Sequence, residues 1–162
     1  MAQIIQNFIG EVKKVVKNQP IPPRYKPDEW KGKRFNCYAY AMRICMNLSG
    51  FNVRPGFICE KKDYKITEKC TLKYFLEDCE ALGLQANPTT LEEPLSQNEY
   101  KIAVYVREMK YNSDFHFARQ DDNGKWSEKN GWNKEITTLS EEKLMKNENG
   151  YKLIGVFKVS KK

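Results

Sequence analysis

The chain contains one histidine, His116, within the alternating run at residues 113–119. Histidine ordinarily titrates near neutral pH, so His116 is the first candidate for an acid or a base. The partner that the sequence offers is Cys37, which opens the apolar, helix-like stretch NCYAYAMRICMNL behind Asn36 as the predicted N-cap. A thiol in the first turn of a helix meets free backbone N–H groups and the positive end of the helix dipole, which favour the nucleophilic thiolate.

A third polar residue is expected beside the histidine. Period-two alternation places Asp114, His116 and Ala118 on one face of their strand. The turn signal DDNG at 121–124 predicts a hairpin that returns Glu128 beside the imidazole, where a carboxylate can accept the second ring N–H and hold the tautomer. Asp114 is the alternative orienting residue if the hairpin contains a bulge or its register differs by one residue.

Helices precede strands in the predicted order of elements. Apolar periodicity predicts helices at 2–17, from Cys37 to about 48–50, and at 67–82, with a proline-rich extended connector after the first. Strand-forming runs and a Ser140-capped helix follow, and we predict strands at 101–107, 114–120, 125–129 and 151–159 and the helix at 140–146.

These elements predict an α+β fold in which N-terminal helices pack on a C-terminal antiparallel sheet of about four or five strands. The length fits a single domain over residues 1–162. Within it, residues 1–30 form the N-terminal helix and proline-rich connector, and residues 36–162 form the core.

The composition of the chain bears on which metal sites, cellular compartment and partners are expected. Five cysteines without a CxxC pair argue against a disulfide framework and, with one histidine, against a zinc site, so no metal or cofactor is expected. The N-terminal stretch lacks the apolar core of a signal peptide and no segment approaches a membrane span, which predicts a cytoplasmic protein. The net charge of +7 is scattered along the chain, which favours a lysine-rich surface over specific nucleic-acid binding. No pattern in the sequence indicates an oligomeric state.

The order of Cys37, a distant strand histidine and a polar residue on the adjacent strand resembles that of the papain superfamily of cysteine peptidases. The spacing resembles its compact NlpC-like branch. The segments NCYAYAM, RPG and DFHFARQDDNGKWSEKNGW are similar to those of bacterial and phage-borne papain-like proteins, and the similarity runs from about Asn36 onward. The third position, often His, Asn or Gln in related enzymes, is here Glu128.

The resemblance implies a papain-like fold and a thiol hydrolase, a cysteine peptidase or amidase, that cleaves an amide bond in a peptide or protein. Cys37 would attack the carbonyl carbon and His116 would carry the proton. Glu128, or Asp114 in its place, would orient the imidazole. The backbone N–H of Cys37, with the side chain of Asn36, would hold the oxyanion.

Each candidate also has an ordinary structural interpretation. A cysteine near a helix start is more often a small buried residue, and Glu128 can form a solvated salt bridge with Lys125 or Lys129. Trp126 and Trp132 can line a groove or simply pack the hairpin. The competing function keeps the papain-like scaffold without catalysis, as a basic binding module, an inhibitor or an effector. Selective reactivity of Cys37 separates the two hypotheses.

Overall fold

The computed structural model describes residues 1–131 and 135–162 and has an α+β architecture. Its helices are α1 (Ala2–Asn18), α2 (Cys37–Ala41), α3 (Glu68–Ala81) and α4 (Glu141–Met145), with a 3-10 helix at Pro27–Trp30. Its strands are β1 (Leu84–Thr89), β2 (Glu99–Arg107), β3 (Asp114–Gln120), β4 (Trp126–Lys129), β5 (Ile136–Leu139) and β6 (Lys152–Lys161). Helices therefore precede the sheet, as the sequence predicts.

All strands join one antiparallel sheet in the order β1-β6-β2-β3-β4-β5. This sheet has six strands instead of the four or five expected, and the two that the sequence pattern missed are its edges. β1 contains Pro88, which an edge strand tolerates because one side of its backbone has no ladder to complete. β5 has only four residues, too few for alternation to stand out.

The sheet is covered on both faces. The larger core packs α1, α2 and α3 on one face, where the rings of Phe75 and Phe117 lie 5.6 Å apart. The smaller core lies on the other face, where Leu144 of α4 packs with Ala118 and Trp126. Ser140 caps α4 by accepting a hydrogen bond from the N–H of Lys143, as predicted. The side chains of successive β3 residues therefore point to opposite faces of the sheet, so Phe117 packs in the larger core and Ala118 in the smaller one.

Helix α2 ends after five residues, so the prediction that it extends to about 48–50 is wrong. Arg43 adopts a left-handed backbone conformation with φ of 63°, and its N–H bonds to the carbonyl of Tyr40. The N–H of Ile44 bonds to the carbonyl of Ala39, which completes a Schellman-type helix end. Glycine is usual at such a position, so an arginine there gives no stop signal in the sequence.

The Arg43 side chain explains why arginine occupies this position. Its guanidinium is buried and donates hydrogen bonds to the carbonyls of Val16, Gln19 and Pro20, where α1 ends. The same residue therefore ends α2 with its backbone and binds carbonyls at and just beyond the end of α1 with its side chain. The apolar residues beyond it are buried in an irregular segment, which helical periodicity cannot distinguish from a helix.

A buried polar network centred on Arg119 of β3 holds α2 against the sheet. The Arg119 guanidinium lies 3.8 Å from the centre of the Tyr40 ring and donates to the carbonyls of Tyr40 and Arg24. It also pairs with Asp121 at 2.9 Å. The Ser127 hydroxyl donates to Asp121 at 2.6 Å and lies 2.7 Å from the Tyr40 hydroxyl, which must then be the donor to Ser127. One network therefore joins α2, β3 and β4.

Replacing Arg119 with methionine leaves the Asp121 carboxylate buried without its cation. Because an uncompensated buried charge is costly, we expect Arg119→Met to lower the free energy of unfolding by about 3–5 kcal/mol. Urea unfolding followed by circular dichroism measures this. The matched control is Lys31→Met, which breaks the exposed pair with Asp28 and should leave the unfolding midpoint nearly unchanged. Equal effects of the two substitutions would contradict a structural role for the network.

Candidate functional site

Cys37 is the first residue of α2 and is only 6% exposed, at a cleft of about 770 Å³. Asn36 is the N-cap, as predicted, and its side-chain oxygen accepts a hydrogen bond from the N–H of Ala39 at 2.9 Å. The Asn36 amide nitrogen donates to the carbonyl of Val53 at 2.6 Å. The cap thus fixes the start of the helix and anchors the neighbouring loop to it.

His116 lines the same cleft from β3. The centre of its ring lies 5.8 Å from that of Tyr105 and 6.4 Å from that of Tyr151. Its Nε2 lies 3.1 Å from Oε2 of Glu128, and interactions with the side chain of Cys37, which lines the same cleft, raise the pKa of the ring. Because Glu128 takes Nε2, Nδ1 is the ring nitrogen open to the sulfur. The two residues singled out in the sequence therefore meet.

The β3–β4 hairpin decides which carboxylate reaches the ring. Glu128 pairs across the sheet with Ala118, so it shares the face of His116 and approaches the ring diagonally. Its second oxygen accepts a hydrogen bond from the Asn130 amide at 2.9 Å. Asp114, the alternative orienting residue, instead accepts hydrogen bonds from the Tyr151 hydroxyl and the N–H of Phe115. Glu128 is therefore the carboxylate in contact with the imidazole.

The electrostatics of the site favour a protonated imidazole. Burial alone would lower the pKa of His116, but hydrogen bonds and charge interactions with Cys37 and Glu128 raise it to about 10. Burial alone would raise the pKa of Glu128, whereas the hydrogen bonds from His116 and Asn130 bring it below its ordinary value. The ring and the carboxylate therefore stabilise each other's charged form.

The side chain of Asn36 is less suited to an oxyanion than the sequence suggests, because both ends of its amide already make hydrogen bonds within the fold. Asn52 lines the same cleft with an exposed side chain, for which the described part of the chain provides no hydrogen-bond partner. The loop that carries Asn52 is anchored at Val53. Sequence reasoning missed Asn52 because its loop shows no period and no motif.

Asp78 of α3, also missed, positions the loop beside Cys37. Its buried carboxylate accepts hydrogen bonds from the Tyr38 hydroxyl at 2.8 Å and from the N–H groups of Gly56 and Cys59. Burial raises the pKa of Asp78 to about 6 in spite of these bonds. The helix buries Asp78 and leaves Leu76 37% exposed, so its buried face differs from the apolar one that the periodicity at 67–82 predicts. A polar residue on a buried helix face gives no periodic signal.

The remaining cysteines are all unpaired, and burial raises the pKa of Cys45, Cys59 and Cys79. Cys45 and Cys70 are half-buried. Across residues 1–131 and 135–162, no group of three His, Cys, Asp or Glu side chains could hold a metal ion. The same residues form no helix long and apolar enough to cross a membrane. Trp126 packs in the smaller core, and Trp132 lies outside the described residues.

A family model described as Domain of unknown function (DUF7689) matches residues 28–155. The chain belongs to this family. The DUF7689 match runs from the 3-10 helix into β6, so it includes Cys37, His116 and Glu128. Comparison with curated proteins gave no match, and comparison with solved structures gave none either.

The single histidine allows a direct test of this electrostatic arrangement. In protein without a histidine tag, the imidazole signals of a long-range ¹H–¹⁵N spectrum arise from His116 alone. We expect the ring to stay protonated through neutral pH and to lose its proton only in the alkaline range. Cys37→Ala and Glu128→Gln should each lower the pKa of His116 by about one pH unit or more, because the first removes the sulfur and the second removes the negative charge, and both favour the imidazolium.

Asp122→Asn is the matched control, since Asp122 is exposed at the tip of the same hairpin. It should leave the titration of His116 unchanged. A wild-type ring that titrates at the ordinary histidine value of about 6.5 would overturn the arrangement.

Proposed function

We propose that this protein is a papain-like thiol hydrolase, a cysteine peptidase or amidase related to the compact NlpC-like branch. The observation that supports the proposal is the position of His116, which contacts Glu128, interacts with Cys37 and lines one cleft with both. A nucleophile needs a base within hydrogen-bond reach, and that base needs a third group to orient it. These three side chains meet both requirements.

The order and location of the three residues support the papain-like assignment. Cys37 begins a buried helix that packs on the sheet, while His116 and Glu128 come from adjacent strands much later in the chain. This is the arrangement that the resemblance implies. Glu128 departs from the usual third residue, but its carboxylate performs the same orienting task and adds a charge that favours the imidazolium.

The reaction follows from these positions. The Cys37 thiolate attacks the carbonyl carbon of an amide, and a sulfur–carbon bond forms as the carbonyl electrons move to oxygen. Collapse of this intermediate breaks the carbon–nitrogen bond, and His116 gives its proton to the leaving amine. Neutral His116 then takes a proton from water, whose oxygen attacks the thioester. The acid leaves, and the thiolate and imidazolium are restored.

The cleft supports a peptide or protein as the substrate. Its volume of about 770 Å³ lies within the range typical of ligand sites. Tyr64, Phe115 and Tyr151 provide flat apolar walls, and the exposed Asn52 and the backbone N–H groups at the start of α2 provide donors near the sulfur. A cysteine nucleophile, together with four other free thiols, suits a reducing compartment such as the cytoplasm.

Thiol reactivity tests the proposal before any substrate is known. At about pH 5–6 we expect iodoacetamide to modify Cys37 faster than the other four cysteines, because Cys37 is the cysteine that interacts with the chain's single histidine. His116→Gln should lower the rate at Cys37 by about tenfold or more at this pH. Peptide mapping by mass spectrometry measures each cysteine separately.

Cys70→Ala is the control and should leave the modification of Cys37 unaltered, since Cys70 lies on α3 and does not line the cleft. If all five thiols react slowly and alike, the chain is not a thiol hydrolase. The papain-like scaffold would then serve as a basic binding module, as the competing hypothesis holds.

A further inference from the structure

Lys129, the last residue of β4, is a buried charge that the reaction described above does not use. It is only 4% exposed, although lysine is among the residues least often buried. It follows Glu128, so its side chain belongs to the opposite face of the sheet, where α2 packs. Its ammonium group therefore lies on the helix side, and the carboxylate that orients His116 lies on the other.

The contacts of the Lys129 ammonium account for only part of its hydrogen-bonding capacity. Its Nζ donates to the carbonyl of Gly131 at 2.5 Å and lies 5.0 Å from the centre of the Phe35 ring. An ammonium group has three N–H donors. Within the described chain, a single carbonyl and one aromatic face are its contacts, and no carboxylate pairs with it.

Both contacts of the Lys129 ammonium relate it to Cys37. Gly131, whose carbonyl it binds, lines the same cleft as Cys37. Phe35, which contacts the ammonium, lies two residues before Cys37 on the segment that leads into α2. Burial lowers the pKa of Lys129, and attraction between its ammonium and the Cys37 thiolate opposes that effect. The ammonium group is therefore placed, and has the charge, to interact with the sulfur of Cys37.

We propose that Lys129 is a positioning residue that acts through Cys37, as a second cation that stabilises the thiolate from the helix side of the sheet. This inference rests on the proposed function. Lys129 matters most in the second half of the reaction, because His116 is neutral after it has protonated the leaving amine. Lys129 takes no part in these proton transfers, so its ammonium still stabilises the sulfur as a leaving group when water cleaves the thioester.

Other titratable groups also face Cys37, and the experiment must separate them from Lys129. His116 approaches from β3 with Glu128 behind it, and Tyr151 approaches from the turn before β6. Burial and the hydrogen bond to Asp114 raise the pKa of Tyr151, so this hydroxyl stays neutral over the working range. Arg54, Lys143 and Lys146 also line the cleft but stay unchanged in every variant, so the experiment distinguishes the effect of Lys129 from that of His116.

The test measures the rate of iodoacetamide modification at Cys37 between about pH 4 and 9 in the full-length chain. Lys129→Met keeps the length and apolar stem of the side chain but removes the charge. We expect it to lower the rate at about pH 5 by roughly tenfold and to move the half-maximal rate to higher pH. Lys129→Arg keeps the charge and should restore most of the wild-type rate.

Lys125→Met is the matched control, because it removes one lysine charge from the same hairpin at an exposed position. It should leave the pH profile unchanged. The imidazole signals of His116 should still show a protonated ring at neutral pH in Lys129→Met, which demonstrates that the acid–base pair is intact. A purely structural role for Lys129 would lower the melting temperature without moving the pH profile.

The outcomes separate this inference from the proposed function. If wild-type Cys37 is selectively reactive and the profile of Lys129→Met coincides with that of wild type, Lys129 has no electrostatic role and the thiol hydrolase still stands. If wild-type Cys37 reacts no faster than the other cysteines, the proposed function itself fails. If Lys129→Arg reacts as slowly as Lys129→Met, the effect comes from the shape of the side chain and the inference is overturned.

Discussion

Arg119 joins the three elements that carry the candidate site. Its own strand carries His116, and it contacts Tyr40 in the helix that begins at Cys37. Its partner Asp121 accepts a hydrogen bond from the hydroxyl of Ser127, the residue before Glu128. A buried guanidinium with this many defined partners permits few alternative arrangements of the helix and hairpin. The relative placement of sulfur, imidazole and carboxylate therefore depends on a charge that lies outside the cleft.

Local patterns predicted the parts of the fold whose signal is local. Alternation around His116 predicted the bounds of β3 and the face that each residue takes, and Ser140 and Asn36 predicted two helix starts. The turn residues at 121–124 predicted the hairpin and so brought Glu128 within reach of the imidazole. The meeting of Cys37 and His116 required a further assumption, that α2 packs on the strand carrying the histidine.

Residues that act through distant partners could not be predicted in the same way. Arg43 ends α2 while its side chain binds carbonyls at the end of α1, and nothing in its immediate sequence indicates that. Asp78 is buried because Tyr38 and a loop provide its donors. Lys129 resembles any surface lysine until the fold encloses it. Each depends on tertiary contacts that override local preference.

The register of the β3–β4 hairpin has an evolutionary consequence. Surface turns usually accept gains and losses of residues freely. In this turn, a change of one residue would exchange the two faces of β4, so that Ser127 or Lys129 would point toward the imidazole and Glu128 toward the buried arginine. We therefore expect members of this lineage to vary the composition of residues 121–125 far more readily than their number.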